Sequence, residues 1–239
     1  MWLALYFPQL PIDRQDQRSA DEPRAVILSE GPRRRVMACN SCAEAYGIKP
    51  GQALKNAYAL VPNLLISDFD EYEQAAHLEQ LTLWALQFSS WVCPEEPDII
   101  LLEVAASLKL FDGLDGLLHQ VSLGAKEQHV SVLMGIAPTP KAAELFARVG
   151  MQEAVTDMPA LLETLSRVPV SFLPLDDFTL KGLRQSGIRT LGELRTITPA
   201  ALTRRFGSQC TELLYKLDGR LPDPKAAYKA AETFSQGVD

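Results

Sequence analysis

The sequence predicts an α+β fold, a mixed sheet with helices packed on it, followed by an all-helical module. Three observations predict it. The short apolar runs WLALYF (2–7), DIILLEVA (98–105) and HVSVLMGIA (129–137) read as buried strands. Helical spacing of apolar residues stands between them, as with Leu78, Leu81, Ala85 and Phe88. After Val168 the texture changes to short helices with well-formed caps.

The first strand is stopped by Pro8. The charged stretch DRQDQRSADEPR reads as a loop, AVILSE as a second strand and RRRVMACN as a third. SCAEAYGI gives a short helix ended by Gly47, and GQALKNAYAL another ended before Pro62. Long helices are expected over 71–90 and 107–126. Thr139 and Pro140 supply the N-cap and first position of KAAELFARV, which Gly150 closes. Residues 2–7, 98–105 and 129–137 are expected side by side, with the helices at 71–90 and 140–149 on one face. In the helical module Asp176 or Asp177 caps FTLKGLRQS, and Gly187 ends it. Thr190 and Glu193 fit a capping box, Thr198-Pro199 opens a helix ended by Gly207, and Ser208 opens one ended by Gly219. The last stretch, DPKAAYKAAETFSQGVD, completes no element.

With 239 residues, two or three small domains are the natural expectation. A hydrophobic content of 47% with 22% charged residues is that of an ordinary soluble globular protein. The net charge of −7 argues against a chain that coats nucleic acid everywhere and leaves room for a local basic face. Cys39 and Cys42 form a lone C-x-x-C without the second pair that a structural zinc site needs, so they read as ordinary buried thiols ahead of a redox pair. His77, His119 and His129 lack metal-ligand spacing. Neither a metal nor another cofactor is expected. The opening residues lack a basic n-region and are broken by Pro8 and Pro11, which argues against a signal peptide or membrane span and for the cytoplasm.

Three stretches in order resemble the Y-family (translesion) DNA polymerases: RRRVMACNSCAEAYGIKPGQALKNAYALVPNLLI at the place of the fingers, DIILLEVAASLKLFDG at the palm's Ser-Ile-Asp-Glu strand, and GIRTLGEL with RRFG at the thumb's helix-hairpin-helix. The resemblance implies a palm over 1–13 and 69–167, fingers over 14–68, a thumb over 168–222 and a linker over 223–239 toward a missing little finger. Such polymerases clamp the reacting oxygens with two divalent ions held by three carboxylates. Aligned on the family, its first metal-binding Asp falls at Ala4 and its second at Leu102, so that Glu103 alone survives. Ser41 and Glu44 replace the Tyr and Arg that grip the triphosphate, and a Glu there repels phosphate. The family's Lys aligns with Pro140, one residue from Lys141.

The opening WLALYFPQLPID and the run LLEVAASLKLF resemble the ImuB-type branch in particular. That implies a catalytically inactive adaptor in SOS-induced translesion synthesis and mutagenesis. Its partners by resemblance are an error-prone replicative-type polymerase, the RecA-like ImuA and the sliding clamp, in the cytoplasm at the nucleoid. In the thumb stretch, Pro174-Leu175-Asp176 stands where the family has a Gly-Ile-Gly phosphate clamp. Proline removes an N–H donor and the carboxylates repel an anion. Over 178–220, however, eight basic residues face three acidic ones, and Lys181, Arg184, Arg189, Arg204 and Arg205 are the candidates for weak, sequence-nonspecific DNA contact. The Arg33-Arg34-Arg35 run fits such a role or plain surface. The rival reading is an active nucleotidyltransferase with displaced carboxylates, Glu103 with Asp98 or Asp13. A third is a DNA-binding or structural protein unrelated to polymerases.

Overall fold

The computed structural model describes residues 1–16, 22–151 and 153–229. In chain order they form β1 (Trp2–Tyr6), α1 (Leu10–Asp16), β2 (Arg24–Glu30), β3 (Arg33–Cys39), α2 (Ser41–Ala45), α3 (Leu54–Leu60), β4 (Leu65–Asp68), α4 (Glu71–Ala85), β5 (Val92–Glu95) and β6 (Ile99–Glu103). There follow α5 (Leu114–Glu127), β7 (Leu133–Ala137), α6 (Pro140–Val149), α7 (Met158–Arg167), α8 (Asp177–Gln185), α9 (Leu191–Arg195), α10 (Pro199–Phe206) and α11 (Ser208–Leu217).

The three apolar runs do meet. β1 lies between β6 and β7, antiparallel to both, and β5 completes the order β5-β6-β1-β7. β1 and β5 therefore run the same way around β6, as β6 and β7 do around β1, which makes two interleaved split βαβ units. The expected mixed sheet is thus antiparallel in every neighbouring pair. Mixed direction is found instead in the three-stranded sheet β3-β2-β4, where β2 pairs β3 antiparallel and β4 parallel.

Alternation along the central strands sends their side chains into two cores. Leu3, Leu5, Ile100 and Leu102 pack with Leu78 and Leu81 of α4 and Val121 of α5. Ala4, Ile99 and Leu101 pack with Ala142, Ala143 and Phe146 of α6. The expectation of α4 and α6 on one face is therefore corrected: a strand that is apolar on both faces needs a layer on each, and these two helices supply opposite layers. The second core runs on into the helical module through Leu161, Leu183, Leu202 and Leu214. Thr139 joins the two by donating from Oγ1 to Leu217 O at 3.1 Å while capping α6.

α6 lies very close to β7 at Gly135, where an added Cβ would stand 2.3 Å from Ala143 O and Ala147 N. Backbone cannot yield as a side chain can, so Gly135→Ala is expected to cost about 2 kcal/mol of stability, within the usual range for overpacking. Chemical denaturation checks this, and an unchanged midpoint would contradict the close packing.

Several boundaries differ from expectation. α4 ends at Ala85 rather than residue 90. The helix expected over 107–126 is divided by a 3-10 turn at Leu108–Phe111 and a break at Asp112 and Gly113, both at positive φ. Pro11 does not stop the chain from turning into α1, which takes up the start of the expected loop at 13–24; residues 17–21 of that loop lie outside the described residues. Short β4 and β5 carry too few residues to declare a period. The caps fall where the sequence puts them: Asp176 caps α8, Thr190 and Glu193 form the capping box of α9, and Gly187, Gly207 and Gly219 take positive φ. Of the expected linker, residues 225–228 lie along β5, with Tyr228 N donating to Val92 O at 2.7 Å and Lys225 paired to Glu95; residues 230–239 lie outside the described residues.

Candidate functional site

The register of β1 against β6 decides which side chains share a site. Ala4 is opposite Leu101, and Leu102 is opposite Leu3. Ala4 and Leu102 consequently point into different cores, both fully buried. Two carboxylates sharing an ion must project from one face, so these positions are not a vacated metal pair. Carrying the family's aspartates onto these two positions puts them on opposite sides of the sheet, as a slip of either strand by an odd number of residues does. Glu103 closes β6, where its Oε1 accepts from the Met1 ammonium at 2.9 Å and from Ala105 N at 3.3 Å.

Charge gathers instead at the other end of the same strands. Tyr6 ends β1, Asp98 stands in the turn that opens β6, and α6 presents Lys141, Glu144 and Arg148 on successive turns. Arg148 donates to Asp98 Oδ1 at 2.9 Å, lies 3.7 Å from Glu144 Oε1 and sits 4.8 Å over the Tyr6 ring. Lys141 holds the other oxygen of Glu144 at 2.5 Å. Burial pushes the Asp98 carboxyl above its ordinary pKa, and Arg148 opposes that. Burial also raises the Tyr6 phenol, with Asp98 adding to it. Asp98 and Glu103 lie at opposite ends of β6, roughly 16 Å apart at strand rise, too far to share a site.

The donors present do not fit a pair of divalent ions. Asp98 and Glu144 are each bonded to cations of the chain, and among the described residues no three His, Cys, Asp or Glu side chains converge to hold a metal. Asp13, the other candidate of the rival reading, is buried and accepts from Ser131 N at 2.9 Å.

Ser41 and Glu44 lie exposed on α2, a single turn capped by Asn40. Cys39 is buried, its thiol pushed up to about 11 by burial, and Cys42 is half-buried. In the helical module Arg195 and Arg220 converge on Asp218, and Lys216 on Asp223. Lys181 and Arg184 stand on α8, Arg204 and Arg205 at the end of α10, and Arg189 in the turn before α9. Gly182 lets the Phe206 ring approach α8, and Arg205 reaches Ser186 Oγ at 2.9 Å, so four of these five cations sit on two touching helices. Asp176 accepts from the hydroxyl and the N–H of Thr179, which hold its pKa low.

Residues 12–148, more than half of the chain, match the model of the impB/mucB/samB family. The chain belongs to that family. Protein ImuB of Caulobacter vibrioides is 30% identical over 161 residues, 67% of this chain and 35% of that protein. DNA polymerase IV of Ectopseudomonas mendocina is 29% identical over 201 residues, covering 82% of this chain and 56% of the polymerase. The chain thus spans about a third of the one and just over half of the other. Among solved structures, DinB from Sulfolobus solfataricus aligns with TM-score 0.74 at 15% identity, over 95% of this chain and 69% of that one. A Y-family DNA polymerase chimera, Dbh-Dpo4(243-245)-Dbh, aligns with TM-score 0.77 at 14% identity, over 96% of this chain and 70% of that one. The impB/mucB/samB chain therefore has the Y-family polymerase fold, and its likeness to ImuB agrees with the resemblance of its opening and its LLEVAASLKLF run. No helix of the described residues is long and apolar enough to cross a membrane.

Proposed function

We propose that this chain is a polymerase-fold adaptor in translesion synthesis that holds DNA but transfers no nucleotide. The observation that carries the proposal is the charge cluster at the end of β1 and β6. Asp98 and Glu144 are neutralised by Arg148 and Lys141, and the neighbouring first-strand residue is Tyr6, not a carboxylate. Two-ion phosphoryl transfer needs carboxylates free to bridge metals. Exposed Glu44 on α2 adds negative charge where a triphosphate would be held. By resemblance to ImuB-type proteins, the partners are an error-prone replicative-type polymerase, the RecA-like ImuA and the sliding clamp, in an SOS response at the nucleoid. DNA contact is assigned to Lys181, Arg184, Arg189, Arg204 and Arg205.

The rival reading, an active error-prone polymerase, rests on the DNA polymerase IV relatives. One set of measurements separates the two. Primer-template with deoxynucleotides and magnesium or manganese is expected to show no extension above background. Anisotropy with a labelled duplex is expected to report binding that is sequence-tolerant and weakens steeply with salt, because each neutralised phosphate releases counterions. Arg204→Ala with Arg205→Ala should flatten the salt slope by about one unit per lost contact while leaving folding nearly unchanged. Metal-dependent extension by the unmodified chain would overturn the adaptor reading; identical slopes for wild type and variant would remove the thumb-like helices from DNA contact.

A further inference from the structure

The arginine run in the β2–β3 hairpin lies beside α3 and forms a groove with it. Arg33, Arg34 and Arg35 line one side, and Lys55 and Tyr58 line the other, around about 540 Å³ of open space. No acidic side chain is among its lining residues. Arg34 is paired to Asp68 at 3.3 Å. Arg35 is fixed by donation to Gly51 O at 2.9 Å, a neutral acceptor that leaves its charge uncompensated. The side chains of Arg33 and Lys55 have no hydrogen-bond or ion-pair partner among the described residues. Lys55 and Tyr58 are three apart on α3 and so share one side of it. This is a concentration of positive charge in a chain of net −7, with an exposed aromatic at its margin.

We infer that this groove binds single-stranded nucleic acid, its cations tracking the phosphates while Tyr58 offers its ring to an unstacked base. An exposed ring can stack only on a base that is not already stacked in a duplex, and a groove pairing cations with an aromatic is the usual means of holding a single strand without reading its sequence. The site is separate from the basic helices α8 and α10. It rests on the reading of the chain as a DNA-binding protein and adds to it a second, strand-selective contact.

The test uses the 239-residue chain with fluorescein-labelled oligo-dT and, in parallel, a labelled duplex, over a series of salt concentrations. The variants are Arg33→Ala with Lys55→Ala, Tyr58→Ala, Tyr58→Phe, and the thumb pair Arg204→Ala with Arg205→Ala; circular dichroism checks that each is folded. Removing Arg33 and Lys55, whose side chains have no hydrogen-bond or ion-pair partner among the described residues, should weaken oligo-dT binding at least about tenfold and flatten its salt slope by about 1.4, two contacts at about 0.7 each. Tyr58→Ala should weaken it about tenfold, and Tyr58→Phe should restore it. Duplex affinity should change less than about twofold in these variants and fall in the thumb pair. Folded groove variants with undiminished oligo-dT affinity overturn the inference. So does a groove that loses heparin and oligo-dT equally on charge removal while ignoring Tyr58→Ala, which marks a site for any polyanion, an acidic protein included. A wild type that binds duplex and not oligo-dT sinks this inference alone; one that binds neither sinks the DNA reading as well.

Discussion

Placing aspartates at Ala4 and Leu102 is expected to unfold the protein rather than to make it a polymerase. Both positions are fully buried, Ala4 against α6 and Leu102 against α4 and α5. Neither introduced carboxylate meets the other, because the sheet stands between them. Leu102→Asp alone removes a core side chain, a loss of about 2–5 kcal/mol for truncation to Ala. It then adds the cost of burying a charge, which forces the new group to stay protonated. Added to Ala4→Asp, the sum is comparable with a whole domain's stability of about 5–15 kcal/mol. Soluble expression, circular dichroism and primer extension check this. A stably folded double variant would mean that the two positions tolerate carboxylates, contrary to their burial in the two cores.

That register explains what the sequence could and could not convey. Apolar runs such as WLALYF and DIILLEVA announce strands because continuous hydrophobicity needs only local information. The caps at Thr139, Asp176 and Thr190 are likewise local, and each stands where its residue type predicts. The partner of a strand is not local. Placing family carboxylates on Ala4 and Leu102 required the strand register to within one residue, and period-two geometry turns any odd error into the wrong face. Asp98 was legible as an acidic residue at the head of a strand, but its bond to Arg148 joins residues fifty apart. Half of that cluster had a local signal that went unread: Lys141, Glu144 and Arg148 follow at spacings of three and four along KAAELFAR, the pattern of neighbours on one helix side. α7 is not among the helices expected from the sequence, although Asp157 caps it in the structure and Pro159 stands in its first turn. In the helical module, composition counted eight cations, but only folding revealed that Asp218 and Asp223 engage Arg195, Arg220 and Lys216.

Arg148→Met is expected to lower stability by about 3 kcal/mol at neutral pH, the low end for breaking a buried ion pair because Asp98 and Arg148 keep some contact with water. In a protein of this size that is a fall in Tm of roughly 6–12 °C. The methionine keeps most of the arginine's apolar stem, so packing over Tyr6 is largely retained, and the main loss is the charge opposite Asp98 and Glu144. The sign of the pH dependence follows from Asp98. Its folded-state pKa already lies above the ordinary value because of burial, and Arg148 is the largest influence holding it down. An acid whose pKa is raised on folding destabilises the fold once it ionises. That penalty is absent below its unfolded pKa and sets in as pH rises through the folded one. Without Arg148 the folded pKa rises further, so the penalty at neutral pH grows. The deficit of Arg148→Met against wild type should therefore be largest near pH 7.5 and shrink steadily as the pH falls toward the ordinary carboxylate range, with Lys141 still compensating Glu144. Thermal melts of both proteins at intervals between pH 4 and 8 measure it. A deficit that stays constant across that range would show that Arg148 stabilises the junction of β1, β6 and α6 by packing alone, and the charge cluster could then no longer support the claim that these carboxylates are tied up by the chain's own cations.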